Sequence, residues 1–238
     1  MIQIQNTSHF AGIRIIGDVH SFRTLEEAIH KIVGEEGEYP IYESARLRAL
    51  DFTKEFQSSC TGDREIVCIH HGLASEVVRS NQIAQQENVY IGFQSLWPEA
   101  LFFTMVMNDF IKLYEKKVKH PAIDIVVSTI RQFQSGVYLC MEEMLSKQTY
   151  MRIINMIHRN NARFNQYITQ YVDYLNTLYV ELDKEKRKLN MILLVKRLSV
   201  KGRDYQEYKF KIMEEAREQN CSHDEIEVGK QTLSKIIW

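Results

Sequence analysis

Acidic side chains and one histidine in the first part of the chain form the first group that could do chemistry. Carboxylate oxygens and imidazole nitrogens are ligands that Mg²⁺, Mn²⁺ and Zn²⁺ accept, so the group could serve a metal-dependent hydrolase. The candidate ligands are Asp18, His20, Glu35, Glu36, Glu38 and Glu43. Their spacing matches neither a calcium-binding loop nor a zinc-protease helix, and a loop rich in Glu and Gly is typical of a solvated surface. A metal site and a solvated loop both remain as hypotheses.

A second group combines cysteine with histidine at two distant places in the chain. Cys68 and His70 would point to the same face of a strand, and Cys221 and His223 repeat their spacing. Two such pairs could complete a tetrahedral site for structural zinc. The spacing matches no common zinc finger, so the favoured interpretation of Cys68 is a small buried core residue. The four cysteines lie far apart, which is typical of free thiols in a reducing cytosol.

A basic segment with interleaved aromatic residues covers residues 184–211. It holds ten basic residues against three acidic ones. Basic side chains neutralise phosphates and aromatic rings stack on unpaired bases, so RNA or single-stranded DNA is one candidate partner. The candidate contacts are Arg187, Lys188, Lys196, Arg197, Lys201 and Arg203, with the rings of Tyr205, Tyr208 and Phe210. The favoured alternative is a solvated or docking surface, since residues 18–65 hold eleven acids against six bases.

The secondary structure that must position these residues changes near residue 97, from alternating strands and helices to helices alone. Before it, β-rich runs predict four strands, and two helices are predicted between the second and third of them. The predicted strands cover residues 2–5, 13–16, 65–70 and 89–94. The order β, β, α, α, β, β predicts a small antiparallel sheet with helices on one face. We therefore expect an α+β fold, with residues 1–96 as the α+β part and residues 97–238 as a helical part packed on it.

Helical periodicity dominates the second part. Pro98 and Pro121 begin two predicted helices that are expected to pair antiparallel. From Tyr150 to Leu182, apolar residues alternate steps of four and three, which predicts one long helical seam with Asn161 as a polar position that fixes its register. The seam could pack within the chain or against a second copy. Self-association through these long helices is therefore one prediction.

Three segments of the chain carry a family resemblance. They are GEEGEYPIYESARLRAL at residues 34–50, GDREI at residues 62–66 and LWPEALFFTMVMNDF at residues 96–110. Together they resemble a family of uncharacterised bacterial proteins known as a domain of unknown function, over roughly the first 145 residues. The resemblance implies a bacterial, cytosolic origin and brings no catalytic residue, ligand or partner.

Composition narrows the classes of function. The 238 residues include 30 basic and 31 acidic ones, which excludes the overall basicity of a protein that coats nucleic acid. No apolar stretch is long enough to span a membrane and the N-terminus lacks a signal-peptide pattern, so a cytoplasmic location is expected. Without a phosphate-binding loop, nucleophile elbow or zincin helix, no cofactor is expected. The favoured function is a protein-interaction or regulatory module rather than an enzyme.

Overall fold

A four-stranded antiparallel sheet forms one layer of the fold. The computed structural model describes residues 2–81, 87–159, 164, 167–223, 226 and 236–238. The strands are β1 (Gln3–Asn6), β2 (Gly12–Gly17), β3 (Glu65–His70) and β4 (Glu87–Leu96). They lie in the order β1-β2-β4-β3, and every neighbouring pair is antiparallel. The predicted α+β class and the predicted antiparallel sheet are confirmed.

Nine α-helices make up most of the described residues. They are α1 (Val19–Val33), α2 (Glu43–Cys60), α3 (Ser75–Ser80), α4 (Trp97–Glu115), α5 (Ile125–Met144), α6 (Lys147–Arg159), α7 (Ile168–Val180), α8 (Lys184–Ser199) and α9 (Arg203–Gln219). Short 3₁₀ turns precede α2 and α5, each beginning at a proline. Over the part of the chain that the structure describes, none of these helices has both the length and the apolarity to cross a membrane.

One face of the sheet packs against the helices through aliphatic and aromatic side chains. Ile15 of β2 lies opposite Phe93 of β4, and both are buried on that face. Phe52 of α2 stacks on Phe103 of α4 with ring centroids 4.4 Å apart. Such ring pairs contribute beyond their buried area, by about 0.5–1.5 kcal/mol each. The contacts fix α2 and α4 on the sheet.

Helix α4 lies at the centre of the molecule. Twelve of its 19 residues are buried, since it packs on β2 and β4 and also on α1, α2, α5 and α7. β4 ends at Leu96 and α4 begins at Trp97, so no linker separates the two predicted parts. One hydrophobic core includes residues from both parts.

The long helical seam predicted from Tyr150 to Leu182 is interrupted. α6 ends at Arg159, α7 begins at Ile168, and Phe164 between them lies outside any helix. At the centre of α7, Tyr171 and Leu175 are each 1% exposed because α7 packs against α4, α8 and α9. This part of the seam therefore packs within the chain. Asn161 lies outside the described residues.

Candidate functional site

The proposed metal ligands Asp18 and His20 lie far from the acidic loop. The Asp18 carboxylate accepts hydrogen bonds from the Ser21 backbone nitrogen, at 2.8 Å, and from Ser21 Oγ, at 2.7 Å. Asp18 thus has the usual role of an aspartate at a helix N-cap. The loop follows the other end of α1, a 15-residue helix that is about 22 Å long. Asp18 and His20 cannot share an ion with the loop glutamates.

The loop glutamates hold the loop itself in place. Glu38 accepts a hydrogen bond from the backbone nitrogen of Glu35 and forms an ion pair with Lys117. Glu43 forms an ion pair with an arginine one turn later in α2, at 2.8 Å, while Glu36 is exposed. Among the described residues, no group of three or more His, Cys, Asp or Glu side chains is placed to hold a metal ion. In the described part of the chain, the candidate ligands therefore do not form one metal site.

The two cysteine and histidine pairs belong to separate parts of the fold. Cys68 and His70 are exposed on β3. Cys221 follows the end of α9, and the His223 ring lies against the Tyr167 ring with centroids 4.7 Å apart. All four cysteines are free thiols, and Cys68 is at the surface instead of in the core where the sequence favoured it. The described residues contain no four-ligand zinc site.

Arg187, a candidate nucleic-acid contact, is buried and links three segments of the chain by hydrogen bonds. Its guanidinium donates to carbonyl oxygens of Val180 at 2.9 Å, His9 at 3.0 Å and Ile237 at 3.0 Å. Val180 ends α7, so the cation also interacts favourably with the negative end of that helix dipole. Burial lowers the pKa of Arg187 below its ordinary value. A side chain that is 4% exposed does not meet a phosphate backbone.

The other basic candidates lie nearer the surface, and most of them interact within the chain. Ion pairs or cation–π contacts engage Lys188, Arg197, Lys201 and Arg203. Lys196 is exposed. Tyr205 and Tyr208 are 3% and 5% exposed, so their rings pack in the core, and Phe210 is the exposed ring of the three. Of the candidate contacts, Arg187, Tyr205 and Tyr208 are thus buried, whereas Lys196 and Phe210 lie at the surface.

A cavity that the sequence did not indicate opens between α2, α7 and the junction of β4 with α4. Its volume is about 640 Å³. Arg48 of α2 lies on its wall, with Nε 2.9 Å from Glu99 Oε1 and Nη2 2.7 Å from Asp173 Oδ1. Arg48 Nη1 donates to the Thr169 carbonyl at 2.8 Å. The side chains of Arg48 and Glu99 are only 14% and 20% exposed, so this is a largely buried ion pair.

The carboxylates of Glu99 and Asp173 stabilise the positive charge of Arg48. Burial disfavours a charged guanidinium, but the carboxylates of Glu99 and Asp173 more than offset it and raise the pKa of Arg48. Asn176 of α7 adds an amide to the same cavity, with Nδ2 3.4 Å from Glu99 Oε2. Apolar side chains supply part of the walls, namely Phe52, Leu96, Ile236 and Trp238.

A second buried acid, Asp109, lies on α4 in a separate cavity of about 80 Å³. Its side chain is 12% exposed, and Oδ2 has no hydrogen-bond partner among the described residues. Burial raises the pKa of Asp109 to about 6, and Lys112, whose Nζ lies 3.9 Å from the carboxylate, offsets only part of that effect. A carboxyl group with this pKa changes charge in a weakly acidic solution.

Sequence spacing missed these residues because their partners are distant along the chain. Arg48 is 51 residues from Glu99 and 125 residues from Asp173. A signal was nevertheless present. Arg48, Glu99 and Asp109 all lie inside the three segments that carry the family resemblance.

Comparison with known families agrees with that resemblance. A family model described as a domain of unknown function, DUF6904, matches residues 2–238. The chain belongs to this family. The DUF6904 match extends well beyond the first part of the chain, on which the resemblance rested, to α9 and the segment after it. Neither the comparison with curated proteins nor the comparison with solved structures gave a match.

Proposed function

We propose that this chain is a cytosolic protein-interaction module that self-associates by pairing β3 with β3 of a second copy. The supporting observation is the outer edge of β3. Within the described residues, β3 pairs with β4 on one side and with no strand on the other. The unpaired N–H and C=O groups of an edge strand are a template for another strand. The four free thiols suit a reducing cytosol.

β3 lacks the features that usually protect an edge strand. Residues 66–69 are Ile, Val, Cys and Ile, without lysine or proline. The register with β4 runs unbroken from Glu65 to His70, so no bulge twists the edge away. Ile66 is 60% exposed. The opposite edge differs, because Asn6 Nδ2 of β1 donates to the Cys140 carbonyl of α5 at 2.8 Å.

The sequence of β3 is complementary to itself in one antiparallel register. A two-fold axis perpendicular to the sheet keeps both helix-bearing faces on one side, so residues of the same face must lie opposite each other. With the axis at Cys68, Val67 lies opposite Ile69 of the second copy and Glu65 lies opposite His71. Apolar pairs and pairs of an acid with an imidazole are favourable cross-strand contacts. With the axis at Val67, Ile66 would lie opposite Cys68, but the charged Glu65 would lie opposite the apolar Ile69.

Ile66→Lys should weaken the dimer without unfolding the chain. The side chain is mostly exposed, so the monomer tolerates lysine, whereas a lysine on an edge strand disfavours pairing. The change occurs twice in a symmetric dimer, and a loss of about 0.7 kcal/mol per strand weakens association about tenfold. Sedimentation equilibrium over a range of protein concentrations measures the dissociation constant of each variant.

Two matched variants separate β3 from other surfaces. Val89→Lys changes a 59%-exposed valine on the neighbouring strand, and Leu189→Lys changes a 76%-exposed leucine on α8. Both should leave the dissociation constant close to that of the unchanged chain. A monomer at every concentration, or a dimer that Leu189→Lys disrupts and Ile66→Lys does not, contradicts pairing through β3.

A further inference from the structure

The charged groups of the cavity between α2, α4 and α7 carry a negative surplus. Two carboxylates, Glu99 and Asp173, share the single guanidinium of Arg48. The two other acids that line the cavity are already balanced, since Asp51 pairs with Lys54 and Glu55 pairs with an arginine at 2.8 Å. One negative charge is therefore left over beside a partly buried cluster. A single positive group would neutralise it.

Arg48 is not free to bind an anion. Its Nε, Nη1 and Nη2 atoms all donate to oxygens of Glu99, Asp173 and the Thr169 carbonyl. A guanidinium has five N–H groups, and these contacts engage four of them. A carboxylate or phosphate would have to displace an ion pair and would face two other carboxylates. The cavity therefore selects against anions.

Asn176 positions the carboxylate of Glu99 in the cavity wall. The residue is 8% exposed and lines the cavity. Because its Nδ2 faces Glu99 Oε2, the amide orientation is fixed and Oδ1 becomes an acceptor. Oδ1 is buried and has no hydrogen-bond partner in the described part of the chain. Because Oδ1 is enclosed by protein, a ligand in the cavity does not reach it, and the amide nitrogen is the atom of Asn176 that serves the site, by holding Glu99.

The size and the walls of the cavity indicate an organic cation. A volume of about 640 Å³ lies in the range of small-molecule sites. Phe52, Leu96 and Trp238 give it apolar surface beside the charged end. No cluster of three or more metal-ligating side chains occurs there among the described residues. We infer that this cavity binds a small primary amine, with the ammonium group at Glu99 and Asp173 and an apolar body against Phe52 and Trp238.

Three probes of similar size and different charge test this inference on the intact chain. They are 2-phenylethylamine, 2-phenylethanol and phenylacetate, which carry a positive, a zero and a negative charge on a similar body. Isothermal titration calorimetry should detect saturable binding of the amine and binding at least about tenfold weaker for the other two, because a charged hydrogen bond is lost. Equal affinity for the three probes, or absence of amine binding, overturns the inference.

Two variants locate the amine. Asp173→Asn removes the surplus charge at a side chain that is 49% exposed, so the fold should survive, and amine affinity should fall about tenfold or more. Glu207→Gln makes the same change of charge on α9, where Glu207 pairs with Arg203 away from the cavity, and should leave affinity unchanged. Equal binding by Asp173→Asn and the unchanged chain would refute the assignment. The measurement does not depend on dimerisation, since Ile66→Lys should bind the amine normally.

Discussion

Arg48→Met should lower the free energy of unfolding by about 3–5 kcal/mol, because it leaves the buried carboxylate of Glu99 without a cation. Methionine fills a similar volume, so the loss reports on charge more than on packing. The guanidinium also joins α2, α4 and α7 through Glu99, Asp173 and the Thr169 carbonyl. Its removal therefore loosens three helices at once. Urea unfolding followed by circular dichroism measures the change.

Arg64→Met is the matched control for this prediction. Arg64 pairs with Glu55 at 2.8 Å, but the two side chains are 41% and 37% exposed. An exposed ion pair contributes about 0–1 kcal/mol, so this variant should be nearly as stable as the unchanged chain. The double variant Arg48→Met, Glu99→Gln should recover part of the loss, because no buried charge remains at Glu99. Equal costs for Arg48→Met and Arg64→Met would contradict a structural ion pair at Arg48.

Asp109→Asn should stabilise the chain at neutral pH and remove part of its pH dependence. Burial raises the pKa of Asp109 from 3.8 to about 6, so the folded state holds its proton over a range in which the unfolded state has lost it. This acid therefore has no effect on stability at low pH, where both states are protonated, and it opposes folding increasingly between about pH 4 and about pH 6. A tenfold difference in proton affinity between the two states corresponds to about 1.4 kcal/mol, so the full penalty is about 3 kcal/mol above pH 6.

Unfolding curves at two pH values isolate the contribution of Asp109. The stability of Asp109→Asn relative to the unchanged chain should increase by about 2 kcal/mol between about pH 4.5 and about pH 7.5. Asp51→Asn, at a side chain that is 62% exposed, should show no comparable increase. A stability difference between Asp109→Asn and the unchanged chain that stays constant with pH would mean that Asp109 titrates normally.

Local patterns in the sequence predicted the strands and helices better than they predicted the contacts between side chains that are distant along the chain. The runs at residues 13–16 and 65–70 match β2 and β3 because β-rich segments bounded by turn residues have a short-range cause. Helix α1 begins at Val19 because Asp18 caps it. The heptad pattern between Tyr150 and Leu182 identified an apolar face, but the same pattern fits two shorter helices. Only packing against α4 and α8 distinguishes the two arrangements.

The candidate site shows the limit of spacing arguments. The sequence suggested Asp18 and His20 as possible metal ligands. An aspartate before a helix is more often an N-cap, and Asp18 has that role here. The cavity around Arg48 depends on residues from three helices that no local pattern connects. Arg48 and Glu99 do lie inside segments that resemble the family. That position singles out the two residues, but it does not indicate what they bind.

Disulfide trapping at Cys68 tests the proposed pairing of β3 most directly. With the two-fold axis at Cys68, the thiols of two copies lie directly opposite each other, where Cα atoms are about 4.5–5.5 Å apart and a disulfide can form. The assay uses a chain with Cys60→Ser and Cys221→Ser, which retains Cys68 and the buried Cys140. Mild oxidation should yield a covalent dimer that both Cys68→Ser and Ile66→Lys abolish. A chain that stays monomeric under oxidation, or a dimer that Ile66→Lys leaves intact, would contradict the account.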